Sequence, residues 1–264
     1  MSNTRIAEGF VTLILAAVLA SLHGCAGPAK PEAKAGTYEG PPTTIGGGQA
    51  RMFVTLDSEG KPTTIGVRMN DAALTGLPTT HPYDTAGVEY RVDLPKEAAM
   101  TGYDHFTVNW NPMGHIPPGV YDSPHFDFHF YLLSPTERYR ISLEGEDRAR
   151  AQKQPSPKFM PEGYILPEGT AEPRMGAHAI DPSGPEFNHQ PFTKTFIYGF
   201  YDGRMIFVEP MITKAFLETK TTLTDNVKLP QSYQVHAYYP TKYRVGYDPV
   251  RKEHVVALEG LVYR

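Results

Sequence analysis

Apolar and polar residues alternate along most of this chain, in short runs broken by Gly, Pro, Asn and Asp. Met52–Leu56, Thr64–Met69, Glu89–Leu94 and His105–Trp110 are rich in β-branched or aromatic residues and too short for stable helices, so each reads as a strand. His125–Leu133 is the longest such run and stops at Ser134-Pro135-Thr136-Glu137. A Ser, then Pro at the first helical position, then Glu on the next turn form a capping box. This predicts a polar helix from Pro135 to near Ser142, with room to continue across Gly145 towards Lys153. Pro155–Pro173 follows as a Pro/Gly-rich loop, long enough to act as a covering segment.

The second half repeats the pattern. Thr193–Phe200 and Arg204–Val208 are joined through Asp202-Gly203, a strong hairpin signal between alternating apolar runs. With those two residues in the turn, Tyr201 pairs with Arg204, Tyr198 with Phe207 and Phe196 with Glu209, which puts Glu209 on the face of Met205 and Phe207. Gln234–Tyr239, Tyr243–Tyr247 and His254–Tyr263 complete the strands, and Pro210–Thr219 reads as another helix. The predicted fold is mainly β: a sandwich or barrel-like single domain over residues 49–264, with one or two short helices.

The first 48 residues do not follow this pattern. Arg5 and the free amine precede an apolar run from Phe10 to Leu22, which closes with Leu22-His23-Gly24-Cys25. Such a run is well short of the roughly 20 residues that span a bilayer, and it has the anatomy of a secretion signal. Its last four residues resemble the lipobox of bacterial lipoproteins. Residues 1–24 are therefore expected to be a cleaved lipoprotein signal peptide, with Cys25 the lipidated residue that holds the protein at a membrane surface. The localisation implied is the cell envelope, and in a Gram-negative cell the outer membrane and periplasm, because Ala26 rather than Asp follows the Cys. Cys25 is the single cysteine of the chain, so no intramolecular disulfide is available. Residues 25–48, rich in Pro, Ala, Lys, Gly and Thr, read as a flexible tether. The formal net charge of -4 and the absence of any Lys/Arg run leave no electrostatic footprint for nucleic acid.

Candidate chemistry concentrates in His125-Phe126-Asp127-Phe128-His129-Phe130-Tyr131. A period of two on a strand sends His125, Asp127 and His129 to one face and the three phenylalanines to the other. Two imidazoles about 6–7 Å apart on such a strand can share one metal ion, and the carboxylate between them can ligate it, orient an imidazole or act as a general base. His115 and His178 lie in loops able to fold over the same face. Glu209, in an apolar setting, needs a partner, and a metal is one. The ligand candidates are thus His125, His129, His178, Glu209 and His115, with Asp127 as the catalytic candidate. A nitrogen and oxygen donor set without thiolate suits Zn, Mn, Fe, Ni or Cu. His189, His236 and His254 read as structural or surface residues, and His81 and His105 carry no pattern. No Gly-x-Ser-x-Gly, phosphate loop, His-Glu-x-x-His or Cys pair competes.

Three stretches, Asn109–Tyr131, Met175–Asp181 and Thr195–Leu217, together resemble a family of uncharacterised bacterial proteins typified by a Thermus hypothetical protein. Pro124–Phe130 is the most specific part, and the resemblance spans roughly residues 50–264. It implies one β-rich domain that brings His125, Asp127, His129, His178 and Glu209 together. The His-x-Asp-x-His motif is also similar in kind, with different spacing, to the metal site of the cupin superfamily. Two functions fit: a metal-binding enzyme of the cell envelope, or a non-catalytic lipoprotein that holds a small-molecule ligand or serves a structural role.

Overall fold

Side-chain alternation builds two antiparallel sheets around a shared apolar core in the computed structural model, which describes residues 1, 34–81 and 87–264. The strands are β1 (Gly36–Glu39), β2 (Thr43–Ile45), β3 (Gly48–Leu56), β4 (Pro62–Asn70), β5 (Val88–Arg91), β6 (His105–Asn111), β7 (His125–Tyr131) and β8 (Ala171–Glu172). They continue as β9 (Gly176–Ala179), β10 (Lys194–Tyr201), β11 (Arg204–Thr213), β12 (Leu223–Asn226), β13 (Tyr238–Tyr239), β14 (Lys242–Asp248), β15 (Glu253–Glu259) and β16 (Val262–Tyr263). Short helices α1 (Pro135–Arg138), α2 (Glu146–Ala151) and α3 (Lys214–Glu218) sit between them. One of these sheets runs β1-β3-β4-β15-β14-β12, with β2 also on β3, the other runs β5-β6-β7-β11-β10-β9-β8, and β13 and β16 pair as a small third sheet.

The aromatic face of β7 forms the floor of the core. Phe126, Phe128 and Phe130 pack with Phe106 and Val108 of β6, Val208 and Ile212 of β11, and Met52, Val67 and Leu258 of the facing sheet. Burying each Phe contributes roughly 1.5–3 kcal/mol, so this layer fixes which face of β7 is turned inward. The mainly β, sandwich-like fold expected from the alternation is what forms.

Several local expectations are corrected. The tether does not reach Gly48: β1 and β2 lie within 36–45 and pair with β3, so the folded region starts by Gly36. Backbone pairing to a strand already in place needs little apolar content of its own, which is why composition misplaced the boundary. The Asp202-Gly203 turn and the Tyr201–Arg204 pair form, but the register shifts at Gly199/Phe200. Ile206 is the extra residue of this bulge, so Tyr198 pairs with Val208, Ile197 with Glu209 and Phe196 with Pro210. Met205 consequently joins the shared core, while Phe207 turns to the opposite face.

Pro210–Thr213 is strand rather than helix, and only Lys214–Glu218 is helical, capped by the Thr213 hydroxyl. The Ser134 capping box forms as expected, yet α1 ends at Arg138 and α2 is separate, begun by Gly145 at φ 54°. Within Gln234–Tyr239 only Tyr238–Tyr239 is extended, and Leu223–Asn226, His178's strand β9 and the two-residue β8 went unpredicted. The signal peptide and Cys25 lie outside the described residues.

Candidate metal centre

Register places a polar surface on the face of the second sheet turned away from the core. Across β6 and β7, Asn111 pairs with His125, Asn109 with Asp127 and Thr107 with His129. Across β7 and β11, Phe207 pairs with Tyr131 and Met211 with Asp127, which sets Glu209 opposite His129. The β7–β11 ladder passes from Val208–Phe130 to Met211–Asp127 because Pro210, on an interior strand, has no N–H to give. Glu209 therefore sits where the β7–β11 pairing is interrupted. On the far side of β10, Gly199 pairs with His178 of β9. A Cβ on Gly199 would come within 2.0 Å of the Phe207 ring, so glycine is what lets that ring lie against both His129 and His178.

Two clusters result, each of two imidazoles and one carboxyl group. His115, His125 and Asp127 form the first, and His129, His178 and Glu209 the second; within each, the candidate ligand atoms all lie within 4.8 Å of one another. His125 and His129, expected to share one ion, are thus divided between two pockets that share a strand.

Tautomers follow from the hydrogen bonds. His125 Nδ1 is 2.6 Å from the Ser123 carbonyl, His115 Nδ1 2.7 Å from that of Ile116, and His178 Nδ1 2.7 Å from that of Thr170. A carbonyl only accepts, so each Nδ1 carries the hydrogen, and in the neutral ring each Nε2 presents a lone pair. Those lone pairs face carboxylate oxygens. His125 Nε2 is 3.2 Å from Asp127 Oδ1, His115 Nε2 is 3.6 Å from Oδ2, and His178 Nε2 is 4.0 Å from Glu209 Oε2. Neither His125 Nε2 nor Asp127 Oδ1 has a hydrogen-bond partner; the same is true of Glu209 Oε2 and of both ring nitrogens of His129. His129 Nε2 stands 3.4 Å from Glu209 Oε1. Acceptor facing acceptor inside a protein is costly unless a cation lies between them.

Electrostatics point the same way. Burial would raise the Asp127 carboxyl, but His125 and His115 outweigh it and hold the group well below the usual carboxylate range. Burial would lower His115, but its contact with Asp127 prevails and lifts it to about 9. Glu209 is pushed well up by burial and by the negative charges of Asp127 and Glu172. His129 is driven well down by burial, with Arg138 and His178 adding to the effect. A proton can take the cation's place in either cluster, on His115 in the first and on the Glu209 carboxyl group in the second, whereas an ionised Glu209 beside neutral imidazoles demands a neutralising charge.

The family described as TTHB210-like, after hypothetical protein TTHB210, matches residues 57–110. This bears out the resemblance to an uncharacterised Thermus protein family over that stretch. It covers β4, β5 and most of β6 and stops before β7, so the two clusters lie outside the match. No curated protein and no solved structure matches the chain.

Sequence reasoning missed several residues that shape the site. Asn111 donates to Asp127 Oδ2 at 2.7 Å and fixes that carboxylate; the Asn109-Trp110-Asn111 alternation was a signal for it. Tyr121 is buried against His115 and His125, and the Thr170 carbonyl orients His178 from the long loop. His105, which carried no pattern, is buried and stacked on Tyr131, with ring centroids 4.5 Å apart.

Proposed function

We propose that this chain is a lipid-anchored cell-envelope protein whose second β-sheet binds divalent transition-metal ions in two adjacent pockets, His115/His125/Asp127 and His129/His178/Glu209. One observation carries the metal reading: the Nε2 atoms of His125, His115 and His178 are aimed at carboxylate oxygens, and in the neutral rings, whose hydrogens go to backbone carbonyls, they have only lone pairs to offer. Two imidazoles and a carboxylate leave coordination positions open, and His115 and Asp127 of the first cluster line one cavity of about 300 Å³ together with His129, His178 and Glu209 of the second, His125 lying buried behind them. Ions held there would polarise a bound oxygen or activate water, so metal-assisted chemistry on a small molecule is the activity this arrangement suits. Nitrogen and oxygen donors fit Zn, Mn, Fe, Ni or Cu.

Anchoring rests on the signal-like residues 1–24 and the single Cys25. Among the described residues, no helix is long and apolar enough to cross a membrane.

Elemental analysis of the full chain, purified in detergent without a poly-His tag, tests the metal reading. About two ions per chain are expected, lost in a His125→Ala/His129→Ala double variant that still folds. A metal-free protein indifferent to chelators contradicts it and leaves the non-catalytic binding role. Cys25→Ala should move the protein from the membrane to the soluble fraction, and retention in the membrane contradicts the anchor.

A further inference from the structure

The cavity above the two clusters has a floor and walls of different chemistry. Its floor is polar: His115, Asp127, His129, His178 and Glu209. Its walls are built by Ile116, Pro117, Met175, Ile180, Phe187 and Ile197, and the long loop closes one side through Pro167–Thr170 and Glu172. Among the described residues no Lys or Arg side chain lines it, and Asp127, Glu168, Glu172 and Glu209 supply four carboxyl groups. Sites that bind phosphate or carboxylate groups supply guanidinium, ammonium or converging backbone N–H donors, or metal ions that carry a net positive charge beyond their own ligands. Here two divalent ions would only offset the carboxylates already present, so no net field draws an anion in.

Tyr121 adds a donor to the walls. It lines the cavity, its hydroxyl is buried, and that hydroxyl has no hydrogen-bond partner in the protein. A phenol holds its proton at neutral pH, so this hydroxyl stands ready to donate to a neutral oxygen. The volume is about twice the 150 Å³ that accommodates benzene in an engineered apolar cavity, enough for a one- or two-ring aromatic or a short aliphatic chain.

We propose, resting on the two-metal reading, that the substrate or ligand is a neutral, mainly apolar small molecule with an oxygen function. The oxygen meets the His/carboxylate floor and the Tyr121 hydroxyl, the hydrocarbon part lies against Ile116, Ile180, Phe187 and Ile197, and phosphate esters and free carboxylates are excluded.

Calorimetric titration of the metal-loaded full chain with 1-naphthol and 1-naphthyl phosphate tests this, with metal content measured on the same samples. The neutral phenol should bind about tenfold or more tightly than its phosphate ester. Ile197→Trp should fill the cavity and abolish naphthol binding with the metal count unchanged. Glu172→Lys should raise affinity for the phosphate ester several-fold and leave naphthol within about twofold. Phosphate-ester binding equal to or tighter than that of naphthol, or no naphthol binding by protein with its metals in place, overturns the substrate class. Naphthol binding by a protein that takes up no metal upholds the substrate class and sinks the metal reading, whereas loss of both overturns both.

Discussion

The Nε2 atom of His125 lies 3.2 Å from Oδ1 of Asp127, and neither atom holds a hydrogen for the other, because the single ring proton of a neutral His125 is given to the Ser123 carbonyl. A pair left in this state inside a protein is unfavourable, and a cation between the two atoms resolves it. Asp127 also faces Nε2 of His115, where a proton takes the cation's place when no metal is bound, so one carboxylate should govern one pocket. Asp127→Ala is expected to lower the metal content from about two ions per chain to about one, with Glu209 and its imidazoles keeping theirs. Elemental analysis of the variant checks this, and an unchanged count would show that Asp127 holds no ion.

Glu209 poses the opposite problem. Its carboxyl group is buried and pushed upward, so in the absence of metal it opposes folding at neutral pH. After chelation, Glu209→Gln should therefore stabilise the protein at pH 7 by about 1–3 kcal/mol, because the amide needs no neutralising charge. In metal-loaded protein the same change should destabilise, since a ligand is lost. Urea melts of both forms read the reversal of sign, and a loss of stability in both contradicts the account.

His105 contributes to the acid sensitivity of the fold. Burial, reinforced by Arg138, lowers its imidazole to about 4, against 6.5 for an unperturbed histidine. The folded state resists protonation, so this contribution is fully present above the unfolded value and is lost as pH falls from about 6.5 to about 4. The loss should amount to roughly 3 kcal/mol. In chelated protein, His105→Phe, which keeps a ring against Tyr131, should flatten that part of the stability profile. An unaltered profile would assign the acid sensitivity to other groups.

Phe128 tests the reverse side of the same strand. It is fully buried at the centre of the shared core, directly behind Asp127 and His129. Phe128→Ala should cost about 3–5 kcal/mol in denaturant melts, and a loss under about 1 kcal/mol would mean that the aromatic layer does not hold β7 in place.

Much of this was legible in the sequence because β7 carries its signal locally. Strict alternation over seven residues assigns both faces at once, and Ser134-Pro135-Thr136-Glu137 states where the strand's successor begins. The same alternation brought His125, Asp127 and His129 under suspicion and led to His115, His178 and Glu209, all of which the fold gathers. What could not be read is set by non-local pairing. The bulge beside Gly199 moves Glu209 from opposite Phe196 to opposite Ile197, and no property of Ile206 announces that it is the extra residue. The division of the histidines into two pockets depends on which loop returns to which end of β7: His115 folds back beside Tyr121, and His178 arrives on a strand beyond β10. Residues 36–45 look like tether because their order comes from the edge of β3 rather than from their own side chains.

Anomalous diffraction from crystals grown with zinc tests the central claim most directly, because it locates the ions. Two peaks per chain are predicted, one about 2.0–2.1 Å from Nε2 of His115 and His125 with Asp127 as third ligand, the other equally close to His129 and His178 with Glu209. Peaks confined to surface carboxylates, with ordered water bridging the buried imidazoles and carboxyl groups, would contradict it.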